Sequence, residues 1–98
     1  MKRLYAVVRT RGAGWRDDLA LEQQREWDAH AAFMDGLERE AFVVLGGPLD
    51  GTRDVLLIVR ASSADEVISR LETDPWTRSG LLVTRQVSSW TLRLGALG

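Results

Sequence analysis

Cysteine is absent from the 98 residues. That one gap excludes disulfide scaffolds, thiolate zinc sites, iron–sulfur clusters and cysteine nucleophiles together. Histidine occurs once, at position 30. One chain therefore cannot build a multi-histidine metal site, and no metal site is expected. A surplus of either charge is also missing: 13 Lys and Arg stand against 14 Asp and Glu, a net charge of −1. Near-neutrality argues against nucleic acid as the main partner. No apolar run approaches the roughly 20 residues that a membrane span requires. The stretch after Met1-Lys2-Arg3-Leu4 is too short and too interrupted for a signal peptide. A soluble cytoplasmic protein is expected, with neither membrane nor nucleic acid as partner.

What is present is an ordinary globular balance, 45% hydrophobic and 28% charged. One domain over residues 1–98 is the natural count. A domain this small leaves much apolar surface uncovered. All the basic residues but Lys2 are arginine, which reads as codon bias from a GC-rich genome.

Leu4-Tyr5-Ala6-Val7-Val8 predicts a first strand at about 3–10. Gly12-Ala13-Gly14 then reads as a loop. It is not a phosphate cradle, because Asp17 stands where the third glycine of G-x-G-x-x-G belongs. A first helix is expected at about 18–40, with Asp17 or Asp18 as its cap and Trp27, Ala31, Met34, Leu37 and Ala41 as its apolar stripe. Gly36, in its middle, implies close packing or early fraying. Phe42-Val43-Val44-Leu45 is a second strand ended by Gly46-Gly47-Pro48. Asp50-Gly51 is a turn, and Asp54 to Arg60 is a third strand closing an antiparallel hairpin. Ser63-Ala64-Asp65-Glu66 is a capping box, opening a second helix in which Ala64, Val67, Ile68 and Leu71 recur at helical spacing. Asp74-Pro75 stops it. Leu81 to Leu94 is a fourth strand, whose apolar parity changes after Val87 and so predicts a bulge near Ser88-Ser89.

The order β-α-β-β-α-β is the ferredoxin-like plan, an α+β fold with two helices on one face of a four-stranded antiparallel sheet. Such a sheet, wet on its other face, alternates polar with apolar residues. The first three strands are apolar on both parities. A soluble monomer should not expose such a face. A second copy packed sheet on sheet covers it, so a homodimer is expected.

His30 lies three residues after Trp27 and four before Met34, within the apolar stripe. One reading is a core imidazole tied to a backbone carbonyl, since an unpaired one is costly to bury. The other is a ring facing a cavity and oriented by a carboxylate, suited to proton transfer near neutrality. The candidate carboxylate is Asp74, because the end of an antiparallel second helix can approach the first half of helix 1. By itself Asp74 also reads as a turn or cap before Pro75. Asp28 and Asp35 fall toward the polar side of helix 1, and Asp50 is accounted for by its turn.

The ordered set of His30, Val44-Leu45-Gly46-Gly47-Pro48-Leu49, Asp74-Pro75-Trp76 with Gly80, and Trp90 resembles the YciI-like (YCII-related) domain across nearly the whole chain. The family pattern has a histidine on helix 1, "GPL" after strand 2 and "DPF/DPY…G" after helix 2. The resemblance implies a dimeric α+β barrel of ferredoxin-like subunits. It also implies a pocket holding a His–Asp pair, which falls here on His30 and Asp74. Gly47 and Pro48 take the "GP" positions, and Trp76 the aromatic one. Two departures stand out: Ala41 where the family often has glycine, and Ser89-Trp90 where it often has Pro-Trp.

Two functional expectations follow. One is a small-molecule enzyme in which His30 is the general acid/base and Asp74 its orienter, needing no metal or organic cofactor. Its chemistry would be isomerisation, elimination or dehydrohalogenation. Some members of the resembling family act on hydroxylated aromatic catabolites, and Tyr5, Trp15 and Trp76 are candidate aromatic walls for such a ligand, with Gly47 and Pro48 beside them. The other is a binding or accessory module on the same barrel, because fold does not fix function. An RNA-binding sheet is disfavoured, since strands 1 and 3 offer mainly aliphatic side chains.

Overall fold

A computed structural model describes residues 1–96. The elements are β1 (Arg3–Arg11), a 3₁₀ turn (Leu21–Gln23), α1 (Trp27–Arg39), β2 (Val43–Pro48), β3 (Asp54–Ala61), α2 (Ala64–Glu72), α3 (Pro75–Arg78) and β4 (Leu82–Trp90). The sheet order is β2-β3-β1-β4, with every neighbouring pair antiparallel. This is the expected ferredoxin-like α+β arrangement, the protomer fold of the dimeric α+β barrels. The short α3 is an addition to the two helices that the sequence predicted.

Alternation along β1 sorts the sheet's two faces. Tyr5, Val7 and Arg9 are buried, while Leu4, Ala6 and Val8 are half-buried. The buried parity joins Leu57, Val59 and Ala61 of β3, Leu37 of α1, and Val67 and Leu71 of α2 in the main core. A second cluster, Trp15, Trp76, Leu81 and Leu82, lies beside it, flanked by Trp27 and Val55. The loop after β1 closes tightly over this second cluster. A Cβ added at Gly12 would stand 2.3 Å from the Gly80 carbonyl oxygen, so a side chain there cannot fit without backbone movement. Gly80 itself has φ +74, the left-handed region that glycine tolerates.

Four sequence expectations need correction. The first helix begins at Trp27, not near 18. Gln24 is buried, accepts from the Arg16 N–H and donates to the Arg16 and Leu19 carbonyls, which holds residues 16–24 in a non-helical path. Glu26 then adopts φ +61 and turns the chain into α1. Asp17 and Asp18 pair with Arg53 and Arg16 instead of capping a helix. Second, β2 runs on through Gly46-Gly47-Pro48. It is an edge strand, where a proline without an N–H is tolerated. Third, β4 ends at Trp90, and its irregularity lies earlier than Ser88-Ser89. Val8 pairs with Gln86 and Arg9 with Thr84, leaving Arg85 as the extra residue. Fourth, Gly36 neither fits a close approach nor frays the helix: a Cβ there meets nothing within 4 Å, and α1 continues to Arg39.

At the second helix, Ser63 Oγ accepts from the Glu66 N–H at 3.1 Å, as its sequence predicts. The Glu66 carboxylate returns to the Ser62 N–H, one residue earlier than a regular capping box.

Candidate active site

The site assembles where α1, α3 and β1 meet. His30 stands on the first turn of α1, directed inward by the stripe that also carries Met34 and Leu37. Pro75 begins α3, and Asp74 caps it, its side chain accepting from the Trp76 N–H at 3.0 Å. The same carboxylate takes His30 Nδ1, at 2.9 Å to Oδ1 and 3.0 Å to Oδ2. Cap and histidine partner are therefore one residue in two roles.

A third donor comes from β1. Arg9 Nη1 donates to Asp74 Oδ2 at 2.8 Å, and Nη2 donates to the Thr77 hydroxyl. Asp74 is 0% exposed and Arg9 1%. Burial by itself would raise the Asp74 pKa. Hydrogen bonds from His30, Arg9 and the Trp76 N–H outweigh it and hold the carboxyl below the ordinary aspartate value. A carboxylate only accepts, so His30 Nδ1 carries the proton in this bond. Nε2 is left without a protein partner among the described residues.

Aromatic rings fix the plane of the imidazole. Trp76 stacks on His30 with centroids 3.8 Å apart and planes 6° from parallel. The indole N–H of Trp76 donates to the Arg25 carbonyl at 2.7 Å, locking that ring in turn. Trp27 tilts against both rings, and Trp15 meets Trp76 edge-on at 5.4 Å. A cavity of about 400 Å³ opens beside this cluster, between α1 and the sheet. Its wall includes His30, Trp15, Trp27 and Trp76, the stretch Val43 to Pro48, and Arg9 and Arg11. Among the described residues no three His, Cys, Asp or Glu side chains gather where they could hold a metal ion.

Of the residues that the sequence singled out, His30, Asp74 and Trp76 come together, and Gly47 and Pro48 border the same cavity. Tyr5 does not. It lies in the main core and forms no part of the cavity wall, because β1 carries it two positions beyond Val7, away from Arg9 and Arg11. Arg9 and Thr77 were missed. The available signal was parity: Arg9 shares the inward register of Tyr5 and Val7, and an arginine there demands a buried acid.

A ferredoxin-like protomer that sets an imidazole–carboxylate pair beside a cavity under its helices belongs to the α+β barrel class. A family model described as the YCII-related domain matches residues 10–91, and the chain belongs to that family. Among solved structures it is similar to 5-chloro-2-hydroxyhydroquinone dehydrochlorinase (TftG) from Burkholderia phenoliruptrix AC1100, in complex with 2,5-dihydroxybenzoquinone. The two share 31% identity at a TM-score of 0.63, over 90% of this chain and 93% of that one. No curated protein matches the chain. No helix among the described residues is long and apolar enough to cross a membrane.

Proposed function

We propose that this chain is a small-molecule enzyme that moves a proton on a hydroxylated, ring-derived substrate, with His30 as general acid/base and Asp74 as its orienter. The observation that carries this reading is the His30 ring, hydrogen-bonded through Nδ1 to a buried carboxylate while bordering the cavity. Asp74 fixes the tautomer, so the Nε2 lone pair is the base. When Nε2 takes a proton, Asp74 faces the imidazolium across the same hydrogen bond. In an isomerisation the proton returns to another atom of the substrate. In a dehydrohalogenation the freed electron pair forms the new double bond, and the halide leaves with the pair of the broken carbon–halogen bond. Proton and halide together account for the HX removed. TftG, a dehydrochlorinase of a chlorinated hydroxyhydroquinone, supports this class of chemistry. Gly47, Pro48 and Trp76 are the proposed substrate-binding residues with His30 and Asp74, in one unit over residues 1–98. The enzyme works in the cytoplasm as a homodimer.

The test is His30→Gln, assayed on chlorinated hydroxyhydroquinones with the fold checked by circular dichroism. General acid/base catalysis contributes about 10²–10⁴ in rate, so kcat should fall by that factor. An unchanged rate on a confirmed substrate removes His30 from the mechanism.

A binding module is the second reading, and one observation favours it. Arg9 and the Trp76 N–H already satisfy Asp74 structurally, without any reaction. Ligand-induced thermal stabilisation with no turnover would select it.

A further inference from the structure

The following inference rests on the cavity being a substrate site, and it concerns the charge of the substrate. Two arginines line the cavity wall, Arg9 and Arg11. They are two residues apart on β1, so they share its helix-facing side, about 7 Å apart along the strand. Arg9 is engaged by Asp74 and Thr77, yet its Nε is the one buried side-chain polar atom without a partner among the described residues. Arg11 has no carboxylate within ion-pairing distance among the described residues. Its guanidinium lies over the ring of Trp15, 4.4 Å from the centroid. Stacking of this kind fixes the guanidinium plane and leaves its N–H edges free to donate.

The position matters as much as the charge. From Arg11 a continuous series of ring contacts runs through Trp15 and Trp76 to His30. The acidic wall residues, Asp35 and Glu38, are exposed and lie farther along α1. Asp35 is five residues from His30 and Glu38 eight, about 7.5 and 12 Å along the helix axis. The acidic wall residues thus stand on α1 and the unpaired positive charge on β1, with Trp15 and Trp76 between it and the imidazole. The surfaces between are flat aromatic and aliphatic side chains.

We propose that Arg11, held on Trp15, is the specificity-determining residue of the site: it selects a planar ring carrying an ionised oxygen and turns the reacting part of that ring toward His30 Nε2. An ionised oxygen accepts the charge-assisted, in-plane hydrogen bonds that a guanidinium offers, and a neutral ring does not repay the desolvation of Arg11.

Binding calorimetry at neutral pH tests this with two probes of similar size. One is 2,5-dihydroxybenzoquinone, whose hydroxyls are conjugated to carbonyls and ionise readily. The other is hydroquinone, a simple phenol that ionises only near pH 10. The wild type should bind the anionic ring at least about tenfold more tightly. Arg11→Gln should remove that preference by weakening the anionic ring's binding without weakening that of hydroquinone, while Arg11→Lys keeps part of it. No preference in the wild type, or an equal effect of Arg11→Gln on both probes, overturns the proposal. If Arg11→Gln does not fold, wild-type affinity for 4-nitrophenol decides: it must rise as that phenol ionises, and a flat or falling profile overturns the proposal. Binding is read without turnover, so the two readings fail separately. Loss of rate in His30→Gln with unaltered anion preference in Arg11→Gln defeats only this one. Anion preference that follows Arg11 beside an unaffected His30→Gln rate defeats only the catalytic one.

Discussion

Asp74 takes three donors, from His30, Arg9 and the Trp76 backbone, in a place with no exposure to water. The arginine changes what the pair can do. In an isolated His–Asp pair the carboxylate's whole charge supports an imidazolium. Here Arg9 neutralises part of that field, so the aspartate acts more as a fixed acceptor that sets tautomer and ring angle. Asp74→Asn tests this structurally. It leaves the Arg9 charge buried without a counter-charge, which should cost about 3–5 kcal/mol in urea unfolding, even though the amide oxygen can still cap α3. The pH dependence has a definite sign. The folded-state pKa of Asp74 lies below its unfolded value. Its contribution is therefore complete above the unfolded value and lost as pH falls through the folded one, below about pH 4. The wild type should lose stability across that window more steeply than Asp74→Asn. Parallel profiles would show that the carboxylate contributes nothing through its charge.

Elements were legible from sequence where local chemistry decides them and illegible where a distant partner does. The second helix follows from Ser63 and Glu66, and its stop from Pro75, all within a few residues. The first turns expected of helix 1 failed because Gln24, polar and unremarkable in a helical pattern, is drawn inward by the backbone of Arg16 and Leu19. The end of α1 shows the opposite case, a departure in sequence that the structure explains. Ala41 adopts φ +62. Its N–H donates to the Glu38 carbonyl and that of Phe42 to the Leu37 carbonyl, with Phe42 and Leu37 both in the core. This is a Schellman cap, whose left-handed residue is usually glycine. Alanine there carries a Cβ penalty that glycine lacks. Ala41→Gly should therefore stabilise the fold by about 0.5–1 kcal/mol, after allowing for the added freedom of the unfolded chain. The melting temperature should rise by about 3–6 °C, and a lower one would mean that the cap is relaxed some other way.

At the scale of the whole molecule, the helices cover one face of the sheet and leave the other bare of helices, although Ile58 on it is only 7% exposed. By register, Leu4, Ala6 and Val8 of β1 share the bare face with Leu56 and Ile58 of β3, Leu45 of β2, and Val83 and Trp90 of β4. Leu45, Val83 and Trp90 remain 54%, 48% and 41% exposed. The apolar character of both parities was readable from the strands, whereas the polar interruptions at Gln86 and Ser88 fall on this face only because of the bulge at Arg85. The result is an apolar centre with a partly polar edge, the composition of a surface that pairs with a copy of itself. Sedimentation should give twice the 11.0 kDa chain mass. The double variant Val83→Glu/Trp90→Glu changes only exposed positions, so it should fold yet sediment as a monomer. Association also couples stability to concentration. The wild-type melting temperature should climb as the protein is concentrated, and that of the double variant should not move. A wild type that melts at one temperature across a hundredfold range of concentration, and sediments at a single chain's mass, would mean that this face meets solvent or some other partner instead of its own copy.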